Sequence, residues 1–230
     1  MKYILAIFAS LVSSTAVTEE APSSKVVVEL YTSQGCSSCP PADKVLEELS
    51  HKYEKLVLPL SFHVDYWNYI GWEDPFSSKE NTKRQRGYQK LSGRSSIYTP
   101  QTVINGKREM VGSHKNKVFT AVHTEAKMLD ERPDVTLIQN AKDISVSIGA
   151  GKGSGDIIAV EYTPHERTDV LRGENRNRKL SNVNIVDKFY KVGTWDGSAQ
   201  RFNIPKGSSK GYAILIQKTG QRQIISANNL

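Results

Sequence analysis

Val26-Val27-Val28-Glu29-Leu30-Tyr31-Thr32-Ser33-Gln34-Gly35-Cys36-Ser37-Ser38-Cys39-Pro40-Pro41 is the stretch that decides how this chain is read. Its first half is an apolar run broken only by Glu29, the pattern of a short strand covered on both faces. Thr32-Ser33-Gln34-Gly35 is a turn. After Pro40, Ala42, Val45, Leu46 and Leu49 recur at helical spacing. Prolines are tolerated in a first helical turn, whose N–H groups lack partners in any case. Cys36 therefore stands just before, or in, the first turn of a helix. The chain has only 2 cysteines in 230 residues, and both are here.

That position has a chemical consequence. Unpaired N–H groups and the helix dipole favour negative charge, which brings the first thiol of such a pair from about 8.5 into a range of roughly 3.5 to 7.5. A second thiol two residues further on reaches the first within one turn and can resolve a mixed disulfide. Cys36 is expected to attack and Cys39 to resolve. Two other uses of the pair stay open: a structural disulfide, and soft ligation of copper or zinc by Cys36, Cys39 and His63.

Upstream, Lys2 precedes an apolar run from Ile4 to Val12, and Ser14-Thr15-Ala16 follows with small residues at the positions a signal peptidase reads. The run is shorter than the roughly 20 residues a membrane span requires. Residues 1–16 are read as a secretory signal peptide and 17–25 as a linker, so the mature chain is expected to be periplasmic or secreted, without a membrane span. Export makes a disulfide persistent. A chain of this length can stabilise its own core, so one cysteine pair is better explained by chemistry than by scaffolding. The formal charge of +7 permits anionic partners.

Downstream, Leu56 to Asp65 reads as a second strand, with Pro59 marking a bulge or a missing ladder bond, and with His63 and Asp65 on one face. Asp65 is either a proton acceptor for the cysteines or a turn carboxylate. An aromatic segment, Tyr66 to Phe76, keeps no clear period; Trp67 and Trp72 either face the cysteines as a lid or partner surface, or fill space between sheet and helix. Ser77-Ser78-Lys79-Glu80 offers a capping box for a helix reaching about Leu91. Its basic residues read as a solvated face, and no recognition motif supports nucleic-acid binding. Tyr98 to Ile104, Asn105-Gly106 and Arg108 to Val111 form a strand, a turn and a returning strand. Ser113 is placed to cap a last helix. Beyond Pro133, short strand-like runs separated by Gly-rich turns suggest a β-sandwich, and Arg167 to Lys179 reads as an exposed loop.

The strand, the Cys36-x-x-Cys39 helix start and Thr99-Pro100 before a hairpin and helix together resemble a thioredoxin fold. The segments Leu30 to Asp43, Phe62 to Phe76 and Tyr98 to Gly112 resemble a family of secreted thioredoxin-like bacterial proteins of unknown function. The resemblance implies a cis Pro100 packed beside the cysteines and shaping a substrate groove, with the Thr99 backbone offered to an incoming chain. It departs at Gly35, where thioredoxins usually carry Trp, and in lacking a Lys directly after the pair. Copper-delivery proteins of similar fold use a comparable two-Cys-plus-His set. The expectation is a thioredoxin-like α/β domain over residues 26–131 and a β-sandwich domain over 132–230. Its expected function is thiol-disulfide exchange with protein or small-molecule thiols and no cofactor. The alternatives are copper or zinc binding and delivery, or a non-catalytic binding module with a structural disulfide.

Overall fold

A computed structural model of the chain describes residues 23–230. The expected signal peptide and residues 17–22 of the expected linker lie outside the described residues.

The apolar run becomes β1 (Val26–Thr32), buried at every position. Such a strand must be flanked on both edges and covered on both faces. On one edge it pairs in parallel with β2 (Val57–His63), from Val26 opposite Val57 to Thr32 opposite His63. The crossover between them is α1 (Pro40–Lys52), which buries Ala42, Val45, Leu46 and Leu49 as its spacing requires. On the other edge β1 pairs antiparallel with β3 (Gln101–Ile104), which turns through Asn105-Gly106 into β4 (Arg108–Val111). Between β2 and β3 runs α2 (Lys79–Ser92); α3 (Lys115–Ala126) follows β4.

Beyond Pro133 the chain is all strand: β5 (Val135–Gln139), β6 (Asp143–Ile148), β7 (Gly155–Val170), β8 (Arg178–Trp195), β9 (Gln200–Pro205), β10 (Gly211–Gln217) and β11 (Ile224–Asn229). Four of these continue the sheet begun by the N-terminal half. Its order is β11-β10-β7-β8-β2-β1-β3-β4, while β5-β6-β9 form a separate three-stranded sheet. The result is a mixed α/β fold with one large mixed sheet and one small sheet. The sheet crosses the boundary expected at Pro133 because Val183, Ile185 and Val186 of β8 are apolar on successive faces and pack beside β2. The two strands meet at a single ladder pair, Ser61 opposite Ile185, and the Asn184 side chain donates to the Pro59 carbonyl at 2.8 Å. Pro59 itself keeps register with Val28, without a bulge.

Three apolar clusters cover the sheets. One lies under α1 and α3, one on the opposite face of the central strands, and one between the small sheet and β7, β8 and β10. Glu29, the interruption in the apolar run, is fully buried and met by Arg84 of α2, whose Nε lies 2.9 Å from Oε1. The same guanidinium donates to Tyr88 and Gln217 and lies over the rings of Phe62 and Phe189. The basic helix is therefore not simply a solvated face. At the far end of β1 the Lys25 N–H donates to the Ala227 carbonyl at 2.7 Å, so residues just before β1 and within β11 lie side by side.

Candidate functional site

The turn after β1 delivers Cys36, and Cys39 is the N-cap of α1. Backbone bonds from Cys39 N to Cys36 O and from Ala42 N to Cys39 O carry the helical path through the motif. Both cysteines are free thiols and both are buried. Gly35 is needed because Trp67 passes so close: a Cβ there would lie 3.2 Å from the Trp67 Cβ and 3.3 Å from its carbonyl oxygen.

Thr99 donates its hydroxyl to Cys36 Sγ at 3.3 Å, and Ser38 Oγ lies at the same distance. The Thr99 oxygen accepts from the Trp67 indole N–H at 2.8 Å, which leaves its own proton for the sulfur. Thr99 precedes the buried Pro100 across a cis peptide. A hydrogen bond from the Cys39 thiol, joined by those from Ser38 and Thr99, holds Cys36 down to about 6 against the opposing effect of burial. Burial, the bond to Cys36 and the charge of Asp43 push Cys39 the other way, well above the usual thiol range. The two thiols are thus sharply unequal.

Asp43 stands one helical turn after Cys39. Burial raises its carboxyl to about 7, although His63 opposes the shift, and the Thr32 hydroxyl donates to Oδ1 at 2.9 Å. His63, the last residue of β2, is fully buried, with Nδ1 2.7 Å from Asp74 Oδ2. Burial works against its charge, but Asp74 outweighs burial and raises it above the ordinary histidine range. Burial likewise opposes ionisation of Asp74, which His63 and the backbone N–H groups of Gln34 and Phe76 bring below the usual carboxylate range. His63 Nε2 has no partner among the described residues.

Gln34 ties these parts together. Its N–H reaches Asp74 at 2.8 Å, its side-chain oxygen accepts from Trp72 at 3.2 Å, and its side-chain amide reaches Thr168 and Asn182 of the β7–β8 hairpin. Trp67 and Trp72 are both partly buried, each held to the cysteine region by one indole hydrogen bond.

The structure gathers Cys36, Cys39, Thr99, Pro100, Trp67 and Trp72, and places His63 one layer behind them. It does not place Asp65 there: β2 has ended, and Asp65 faces α2, bonded to the Thr82 hydroxyl at 2.5 Å. Among the described residues, no three His, Cys, Asp or Glu side chains are arranged to hold a metal ion. Sequence reasoning missed Asp43, Asp74 and Gln34. For Asp43 a signal existed, since four positions after Cys39 is one helical turn; Asp74 carries none.

The family described as "Protein of unknown function (DUF1223)" matches residues 27–217. The chain belongs to this family. Within this DUF1223 chain, a segment of 90 residues is 31% identical to a thioredoxin of Methanocaldococcus jannaschii, covering 39% of the chain and 82% of the thioredoxin. The crystal structure of a protein from Agrobacterium tumefaciens superposes with a TM-score of 0.79 at 34% identity, covering 93% of this chain and 96% of that one. HBP35 of Porphyromonas gingivalis gives a TM-score of 0.53 at 12% identity over 90% of this chain and 74% of its own, a likeness of fold alone.

Proposed function

We propose that this DUF1223 protein is an exported thiol-disulfide oxidoreductase whose cysteine motif sits in a thioredoxin-like arrangement of β1, α1, β2 and the β3–β4 hairpin. The observation that carries the reading is the asymmetry of the pair. Cys36 Sγ is at the helix start with the Thr99 hydroxyl aimed at it, and Cys39 is buried behind it next to a carboxyl. The likeness to a thioredoxin over the segment of 90 residues supports the same chemistry.

In the reducing direction, the Cys36 thiolate attacks one sulfur of a substrate disulfide. The substrate S–S bond breaks and its other sulfur leaves as a thiolate, which takes a proton from solvent. Cys39 then gives its proton to Asp43 and attacks Cys36 Sγ. The mixed disulfide breaks, the second substrate sulfur leaves, and the protein holds the Cys36–Cys39 disulfide while the substrate has gained two electrons. Asp43 fits the acceptor role better than Asp65, because burial sets it near neutrality and it lies one turn from the resolving thiol. His63 and Asp74 keep a buried charge beside that acceptor. Run backwards, the same steps oxidise a dithiol, and the redox partner sets the direction.

Trapping tests the assignment. Cys39→Ser is expected to accumulate a mixed disulfide through Cys36 when offered a protein or small-molecule disulfide, while Cys36→Ser accumulates none. Equal trapping by both variants would overturn the roles given to the two thiols.

A further inference from the structure

The tip of the β7–β8 hairpin, residues 171–177, reaches from the C-terminal half onto the cysteine motif. Asn175 is fully buried there, and its side-chain amide spends both hydrogens on the motif's backbone, one on the Gln34 carbonyl and one on the Cys36 carbonyl, each at 2.9 Å. Its own oxygen accepts from Arg178 at 2.8 Å. Gly173, at φ +71°, leaves room for Trp72, whose Cβ would lie 3.1 Å from any Cβ there. These contacts fix the position of Glu174. Its Oε2 accepts the Ser37 N–H at 3.0 Å.

That N–H is at the helix start, in the residue after the attacking cysteine. Groups of this kind stabilise a thiolate in such motifs, because no earlier carbonyl claims them. Here one, on the residue next to the sulfur-bearing one, is already given to a carboxylate. Building on the exchange reading, we propose that Glu174 is a positioning residue that restrains Cys36, held on the Ser37 N–H by Asn175, and that it makes the Cys36–Cys39 disulfide harder to reduce. The logic is a balance of charge: anything that disfavours the thiolate disfavours the reduced pair relative to the disulfide. Cys39 at the N-cap, Asp43 on α1 and Tyr66 beyond β2 are ionisable groups that also interact with Cys36, and the Ser37 N–H goes to Glu174 and to none of them. Glu174 is exposed, so its replacement leaves the core intact.

The experiment is the equilibrium of the pair against a glutathione redox buffer at pH 7 in the full-length mature chain, comparing the native protein with Glu174→Gln and Glu174→Asp. Glu174→Gln is expected to shift the equilibrium about threefold toward the dithiol, the size of one partly screened charge near a thiolate. Glu174→Asp should fall between the two, and about 0.5 M salt should shrink the difference. A purely structural contact would change stability but leave this equilibrium in place. If the native pair equilibrates while Glu174→Gln shows no shift, the role of Glu174 is overturned and the exchange reading stands. If the native pair fails to exchange with glutathione or a stronger dithiol, both fall together.

Discussion

Asp43→Asn is the smallest change that separates a proton acceptor from a packing residue. The carboxyl is raised to about 7 by burial, so the folded chain holds that proton more tightly than the unfolded chain, where an aspartate titrates near 3.9. Wherever the folded state binds more protons, stability falls as pH rises. The contribution is therefore complete below about pH 4 and is lost as pH climbs toward 7. Asparagine keeps the shape and removes the titration. The urea midpoint of the native reduced protein should drop between pH 5 and pH 8 by more than that of Asp43→Asn, and resolution of a mixed disulfide at Cys36 should slow in the variant. A parallel decline in both proteins would mean that Asp43 carries no such proton. Part of the site was legible at this scale: Cys36 and Cys39 announce themselves by their spacing at a helix start, and Thr99-Pro100 by resemblance to a thioredoxin fold. Asp65 was misplaced because alternation along a strand holds only while the strand lasts, and β2 stops at His63. Asp74 could not be found, because its meeting with His63 depends on the path of an irregular segment with no period to read.

Among the elements, α2 shows how a composition-based reading can miss a single inward residue. Five basic residues along Lys79 to Lys90 look like a wet surface, yet Arg84 is buried and answers Glu29, itself the one odd residue in β1. Both anomalies are the same contact seen from two elements. Arg84→Leu would leave the Glu29 carboxylate buried without its cation, a change that typically costs about 3–5 kcal/mol. Urea unfolding should show a loss of that order, and a change below about 1 kcal/mol would mean that the pair contributes little. The start of α2 follows its sequence signal with a shift of one: Ser78 is the cap, accepting from Asn81 N, so Glu80 is not the returning partner the capping-box pattern suggested. The helix after β4 begins at His114 without a side-chain cap, so the expected Ser113 cap does not form. The segment Arg167 to Lys179, read as an exposed loop, is a loop only over residues 171–177; its flanks are the ends of β7 and β8, paired as far as Val170 opposite Arg178. Exposed polar strands lack the apolar alternation by which a strand is recognised.

At the scale of the whole molecule, the clusters that support the cysteine-bearing strands are built from both halves of the sequence. Val160, Tyr162, Val186, Ala213, Leu215, Ile224 and Ala227 share a core with Val27, Tyr31, Leu58 and Phe62. A chain divided at Pro133 would expose that shared surface on both pieces. Calorimetry should therefore show one transition, with calorimetric and van't Hoff enthalpies in agreement. Residues 23–132 expressed alone should lack a cooperative transition; a folded fragment with its own sharp melt would show that the division read from the sequence is also a division in stability. The fold class was legible in outline because periodicity reports local structure. It was silent on which strands share a sheet, since partners such as Ser61 and Ile185 are brought together only by the finished fold.

The neighbouring positions of Lys25 and Ala227 give the molecule two poles. β1 spans 7 residues, so the pole at Lys25 and Ala227 is separated from the cysteines by about 20 Å of strand. A label attached at the Lys25–Ala227 pole stands away from the reactive face. Coupling to a surface through a residue at that pole would turn the cysteine chemistry outward.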